Sequence, residues 1–69
     1  MRILLNNKEE VLETNKQSLT IAELLTLKNY SFKSLVIKIN GMLIKRESRG
    51  TAQFREGDHV EVIHLISGG

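Results

Sequence analysis

Two glycines, Gly68 and Gly69, close the sequence directly after an apolar stretch that reads as a strand. Residues without side chains make a thin, flexible thread that can enter a narrow active site on another protein. The group at its tip is an α-carboxylate, ionised at neutral pH with a pKa of about 3.5 and a poor acyl electrophile. It becomes reactive only as a mixed anhydride, for instance an acyl-adenylate formed with ATP. So activated, the thread would carry an acyl group from one enzyme to another. At an average glycine frequency of about 7%, two terminal glycines arise by chance in roughly 0.5% of chains. The bland alternative is a frayed end.

The other chemistry-bearing residues do not assemble. His59 and His64 stand five apart on a predicted strand, and an odd spacing turns side chains to opposite faces. They cannot share a metal or relay a proton within one chain. Glu9-Glu10 and the pair Glu56 and Asp58 fall in or beside turns, where solvated charge is expected. Gly41, Gly50 and Gly57 are isolated and lack the spacing that cradles phosphate. Ser67 has no adjacent base. With no cysteine there is no thiolate metal site, no iron–sulfur cluster and no thiol nucleophile. The expectation is a protein acted on by enzymes rather than an enzyme, with no metal or cofactor bound by the chain itself.

Sixty-nine residues hold one small core and no second domain. Aromatics make up only 4% of the residues, so the core must be built from Ile, Leu and Val. The net charge of +2 is ordinary but unevenly spread. Residues 28–49 carry six lysines and arginines against Glu47, whereas residues 50–69 carry Arg55 against Glu56, Asp58 and Glu61. A mixed solvated surface is the simplest account. As an RNA-binding face the basic segment has only Tyr30 and Phe32 as stacking candidates, which is weak for a module that stacks bases. Ile3-Leu4-Leu5 is too short for a signal-peptide core, and no apolar stretch approaches a membrane span. A cytoplasmic protein, monomeric when free, with no nucleic-acid or membrane partner, is expected.

The elements that must position the tail read as follows. Arg2–Asn6 is a strand, Asn6-Asn7-Lys8 a tight turn, and Glu9–Glu13 a returning strand with Val11 as its surest inward residue. Thr14-Asn15-Lys16-Gln17-Ser18 reads as a loop. Thr20-Ile21-Ala22-Glu23 fits a capping box, and Ile21, Leu24 and Leu25 share one helical face. Asn29 is the predicted stop. A helix this short needs a sheet to lie on. Leu35–Ile39 is the strongest strand, Asn40-Gly41 the preferred hairpin turn, and Met42-Leu43-Ile44 the return. Lys45–Gly50 is irregular, Ala52-Gln53-Phe54 a short strand or turn with Phe54 as a core plug, and Arg55-Glu56-Gly57-Asp58 a turn with positive φ at Gly57. His59–Ile66 is the last strand, with Val60 and Val62 inward. The expected fold class is α+β, one helix packed on one face of a mixed sheet in a β-grasp arrangement. Residues 1–66 form the single domain, and 67–69 form a flexible tail.

Five segments together resemble a known family. They are Ile3-Leu4-Leu5-Asn6, Thr20-Ile21-Ala22-Glu23-Leu24-Leu25, Ile39-Asn40-Gly41, Glu56-Gly57-Asp58-His59-Val60-Glu61-Val62 and Gly68-Gly69. In order and spacing they are similar to the small sulfur carriers of thiamin biosynthesis, the ThiS family of ubiquitin-like β-grasp proteins. Members often carry Val-Pro-Arg where this chain has Ile44-Lys45-Arg46, and a small Ala or Gly where it has Ser67.

The resemblance implies that a ThiF-like enzyme uses Mg-ATP to adenylate Gly69. Sulfur from a persulfide donor protein then displaces AMP, and thiazole synthase accepts it from the Gly69 thiocarboxylate. Partner contacts would fall on Gly68, Ser67 and Ile66, and on outward Ile63 and Leu65, joined by Met42 or Leu43. A second-face core role for these apolar side chains is the alternative. The residues agree on one point: a chain without cysteine holds no sulfur on a side chain. Three rivals remain. A MoaD-like subunit of molybdopterin synthase would be longer and carry proline near its end. A ubiquitin-like protein modifier or tRNA-thiolation carrier would use the same terminus. A small RNA-binding domain would not need Gly69.

Overall fold

Local chemistry accounts for the turns and the helix. The computed structural model describes residues 1–30 and 34–65. Strand β1 (Arg2–Leu5) returns as β2 (Lys8–Val11) through Asn6-Asn7, whose φ values are 53° and 67°. Positive φ at both positions gives the two-residue turn whose twist matches its flanking strands. Asn40-Gly41, at 50° and 83°, joins β4 (Leu35–Ile39) to β5 (Met42–Ile44) in the same way. Helix α1 (Ile21–Leu27) opens on a complete capping box. The Glu23 N–H donates to Thr20 Oγ1 at 3.1 Å, and the Thr20 N–H donates to Glu23 Oε1 at 2.9 Å. The helix closes at Asn29, left-handed at φ 59°. There the Asn29 and Tyr30 amides donate to Thr26 O and Leu25 O at 3.1 and 2.8 Å, satisfying carbonyls the helix leaves open.

Among the described residues the strands form two sheets. The larger runs β2-β1-β7-β4-β5, with β7 (His59–His64) at its centre. β1 and β7 are parallel, with Leu4 opposite His59 and Leu5 opposite Val60, and the other pairs are antiparallel. β3 (Ser18–Thr20) and β6 (Gln53–Arg55) form the smaller, antiparallel sheet. Ile3, Leu5, Ile37, Ile39, Val60 and Val62 supply the sheet side of the core. Ile21 and Leu24 of the helix pack with them, and Leu12, Leu19 and Phe54 complete the cluster. Leu25 and Leu35 are half-buried at its margin. The architecture is the expected α+β β-grasp fold. No helix among the described residues is long and apolar enough to cross a membrane.

Two expectations are corrected. Val11 is 56% exposed, and it is Leu12, at 4%, that turns inward. A turn that included Lys8 would bring Val11 opposite Ile3. The observed two-residue turn pairs Leu5 with Lys8, so Glu10 faces Ile3 and Val11 faces Arg2 on the outer side. A one-residue shift of register exchanges the two faces of a strand. The polar stretch ending at Ser18 is also not all loop. Ser18–Thr20 is extended because it pairs with Gln53–Arg55, far away in the chain, and this seats Leu19 beside Phe54.

Candidate functional site

Strand β7, which precedes the C-terminal residues, is held on both sides. At its β1 edge, Asn6 reaches past the end of its own strand. Its Oδ1 accepts from the Val62 N–H at 2.8 Å, and its Nδ2 donates to Val62 O at 3.2 Å. At the β4 edge, Asn40 Oδ1 accepts from the His59 N–H at 2.9 Å, and the Asn40 N–H donates to His59 O at 2.7 Å. Both asparagines are turn residues with positive φ, so one residue type makes the turn and ties it to β7.

The turn before β7 is built from the acidic residues beside it. Asp58 Oδ2 accepts from the Arg55 N–H at 2.9 Å, and its Oδ1 accepts from Asn40 Nδ2 at 3.2 Å. Glu56 Oε1 accepts from the Arg2 N–H at 2.8 Å, while Gly57, at φ 87°, donates its N–H to Arg2 O at 2.8 Å. These carboxylates satisfy backbone donors and do not form an acid–base pair. Glu9 and Glu10 are likewise engaged, with Arg2 Nε at 3.1 Å and Lys28 Nζ at 2.6 Å. The hydrogen bond from Lys28 to Glu10 holds the Lys28 ammonium above its ordinary pKa. Glu23 lies below its own, chiefly through its bond from Lys16 and then that from the Thr20 backbone. Register separates His59 from His64 onto opposite faces, and both are exposed. Among the described residues no group of His, Asp or Glu is placed to hold a metal.

Pairing continues to the last described residue, where the Leu65 N–H donates to Ser34 O at 3.0 Å. Ile63 and Leu65 are 43% and 51% exposed. Ile63 stands opposite Val36, and Leu43 stands opposite Lys38, on the face away from the buried core positions. Leu43 therefore shares the outer face with Ile63. Met42, opposite buried Ile39, has the other orientation. The expected contacts at Ile66, Ser67 and Gly68, and the expected reacting carboxylate of Gly69, lie outside the described residues.

Sequence reasoning missed the side-chain roles of Asn6 and Asn40. Both were legible as turn formers, but their bonds to β7 depend on which strands become neighbours.

The ThiS family model matches residues 2–69. The crystal structure of the thiamine biosynthesis protein ThiS from Geobacter metallireducens is 28% identical. It superimposes with a TM-score of 0.83, over 100% of both chains. An NMR solution structure of a thiamine biosynthesis protein from the same organism, also 28% identical, gives a TM-score of 0.78, covering 100% of this chain and 88% of that one. A comparison with curated proteins gives no match. The family match spans the segments whose structural work is described above, from Asn6 through the Asp58 turn to Leu65, and the chain belongs to the ThiS family.

Proposed function

We propose that this chain is a sulfur carrier of thiamin biosynthesis and that the sulfur rides on the Gly69 carboxylate. The observation that carries the reading is the family match across residues 2–69, which includes Gly68 and Gly69. Two features support it. The sequence has no cysteine, so no side chain can hold a persulfide. The last strand, β7, is central and clamped by Asn6 and Asn40, a firm platform next to the terminal residues that a partner would have to receive.

The chemistry runs in three balanced steps. A Gly69 carboxylate oxygen attacks the α-phosphorus of Mg-ATP on a ThiF-like enzyme, and pyrophosphate leaves. The terminal sulfur of a donor protein's persulfide attacks the acyl carbon, and AMP leaves. A thiol then attacks the donor's sulfur in the resulting acyl disulfide; that sulfur leaves in a new disulfide with the thiol, and Gly69 is left as a thiocarboxylate. Thiazole synthase is the acceptor. Ile63, Leu65 and Leu43 form the exposed apolar surface on which these enzymes grip the folded part.

Incubation with a ThiF-like enzyme, Mg-ATP and a persulfide donor is expected to raise the intact mass by one sulfur-for-oxygen exchange. Removing Gly69, or adding one residue beyond it, should abolish the change while the fold persists. An unchanged wild-type mass, under conditions where a known relative reacts, overturns the reading. So does sulfur transfer by the chain lacking Gly69.

A further inference from the structure

Topology brings the basic stretch of the chain to the end of β7. β4 is antiparallel to both β5 and β7, so β5 and β7 run the same way and finish at the same end of the sheet. β5 leads into Lys45, Arg46 and, after a 3₁₀ turn (Arg46–Ser48), Arg49. β7 leads into Leu65. Between them lies a groove of about 340 Å³ whose lining includes Lys45, Arg46, Arg49, Val36, Leu43 and Leu65. No Asp or Glu is among its described lining residues. Glu47, the carboxylate of the 3₁₀ turn, is exposed and outside the lining.

The basic wall is anchored before any partner arrives. Arg49 Nη2 donates to Leu35 O at 3.0 Å, and Arg49 O accepts from the Ala22 N–H at 2.9 Å. Arg49 Nε is buried and has no hydrogen-bond partner among the described residues. A guanidinium already held in place loses little further freedom when it meets an anion.

We infer that this groove docks an acidic protein segment with an apolar anchor, carried by the enzyme that receives the tail. The inference rests on the carrier reading above for the identity of that enzyme. Charge complementarity selects the acidic partner. The aliphatic side chains Val36, Leu43 and Leu65 favour a protein over a nucleic acid, because no aromatic to stack a base is among the described lining residues. Among the described residues the groove reaches the end of the last strand at Leu65. The contribution inferred for it is to association with the enzyme.

The test has two arms. In the first, the ¹⁵N-labelled chain is titrated with a short peptide of alternating glutamate and leucine. The controls are the lysine–leucine counterpart and a single-stranded RNA hexamer. Amide shifts are expected at Leu43–Arg46 and Leu65 with the acidic peptide, and K45E/R46E should weaken binding about tenfold. No shift, shifts elsewhere, equal binding of the basic peptide, or tighter binding of RNA overturns the inference.

The second arm measures adenylation by a ThiF-like enzyme. K45E/R46E is expected to raise KM about tenfold, with kcat within about twofold, and to flatten the salt dependence. An unchanged KM overturns the inference. A wild-type chain that is not adenylated overturns the carrier reading instead, and the peptide arm still decides this one.

Discussion

The carboxamide of Asn6 bonds the Val62 backbone in both directions, accepting from its N–H at 2.8 Å and donating to its carbonyl at 3.2 Å. The parallel β1–β7 ladder ends at Leu5 opposite Val60, where the chain must turn back into β2. A side chain then does what a further backbone residue would have done. Asn suits the position twice, because it also tolerates the φ of 53° that the turn demands.

Removing that side chain should loosen the central strand. Asn6→Ala strands a partly buried Val62 N–H and strains the turn, at a cost of about 2–3 kcal/mol. Asn6→Gly relieves the strain and should cost about 1 kcal/mol less. Asn6→Asp keeps the acceptor but sets a carboxylate against Val62 O, so its defect should shrink in acid. Urea midpoints measure all three. Equal losses for Ala and Gly would show that backbone strain plays no part.

The capping box predicts an acid-sensitive contribution. Thr20→Ala should cost about 1 kcal/mol through loss of the helix cap. Glu23 has a folded pKa below its unfolded value, because Lys16 and the Thr20 backbone bond its charged form. Its stabilisation is complete above the unfolded glutamate pKa and is lost as pH falls through the lower folded one. Glu23→Gln should flatten the stability curve over that window. A parallel curve for the variant would rule the contribution out.

Lys28 predicts the opposite sign at the alkaline end. Its folded pKa is raised by the hydrogen bond to Glu10. The contribution is full below the unfolded lysine pKa and disappears as pH rises through the higher folded value. Lys28→Met should remove this alkaline fall, read by thermal unfolding across that range. It would also free Glu10, which shares the β2 face that meets Ile3.

The register of β2 is tested by neighbouring substitutions. Leu12→Ala empties a core position and should cost about 2–4 kcal/mol. Val11→Thr changes an exposed position on the outer face and should stay within about 0.5 kcal/mol. The reverse ranking of denaturant midpoints would mean that Val11 faces the core.

Lys45 occupies the position where the family often carries proline, and its φ of −68° is already that of a proline ring. It follows a strand residue, Ile44, whose extended backbone accommodates a following proline. Lys45→Pro should therefore stabilise the fold by about 0.4–1 kcal/mol through the unfolded chain. A lower melting temperature would show that the Lys45 N–H is needed.

Features set within a few residues were legible from the sequence. The Thr20–Glu23 cap depends on side chains that bond nearby backbone, and the left-handed stop at Asn29, the Asn40-Gly41 turn and Gly57 depend on residue types that accept positive φ. The β-grasp order was legible too, because alternating apolar residues and turn signals fix the succession of elements. Contacts between distant segments were not. Ser18–Thr20 is a strand only because Gln53–Arg55 arrives beside it. Val11 and Leu12 are adjacent apolar residues, and only the length of the Asn6-Asn7 turn decides which of them is buried. The sequence by itself determined the Gly68-Gly69 pair after the last apolar stretch, the aliphatic core and the absence of cysteine. Tertiary structure alone decided that Asn6 and Asn40 would clamp β7, and that Lys45, Arg46 and Arg49 would stand beside Leu65 at its end. Antiparallel pairing of one strand with two neighbours sends both of their ends to the same side, whatever their separation along the chain.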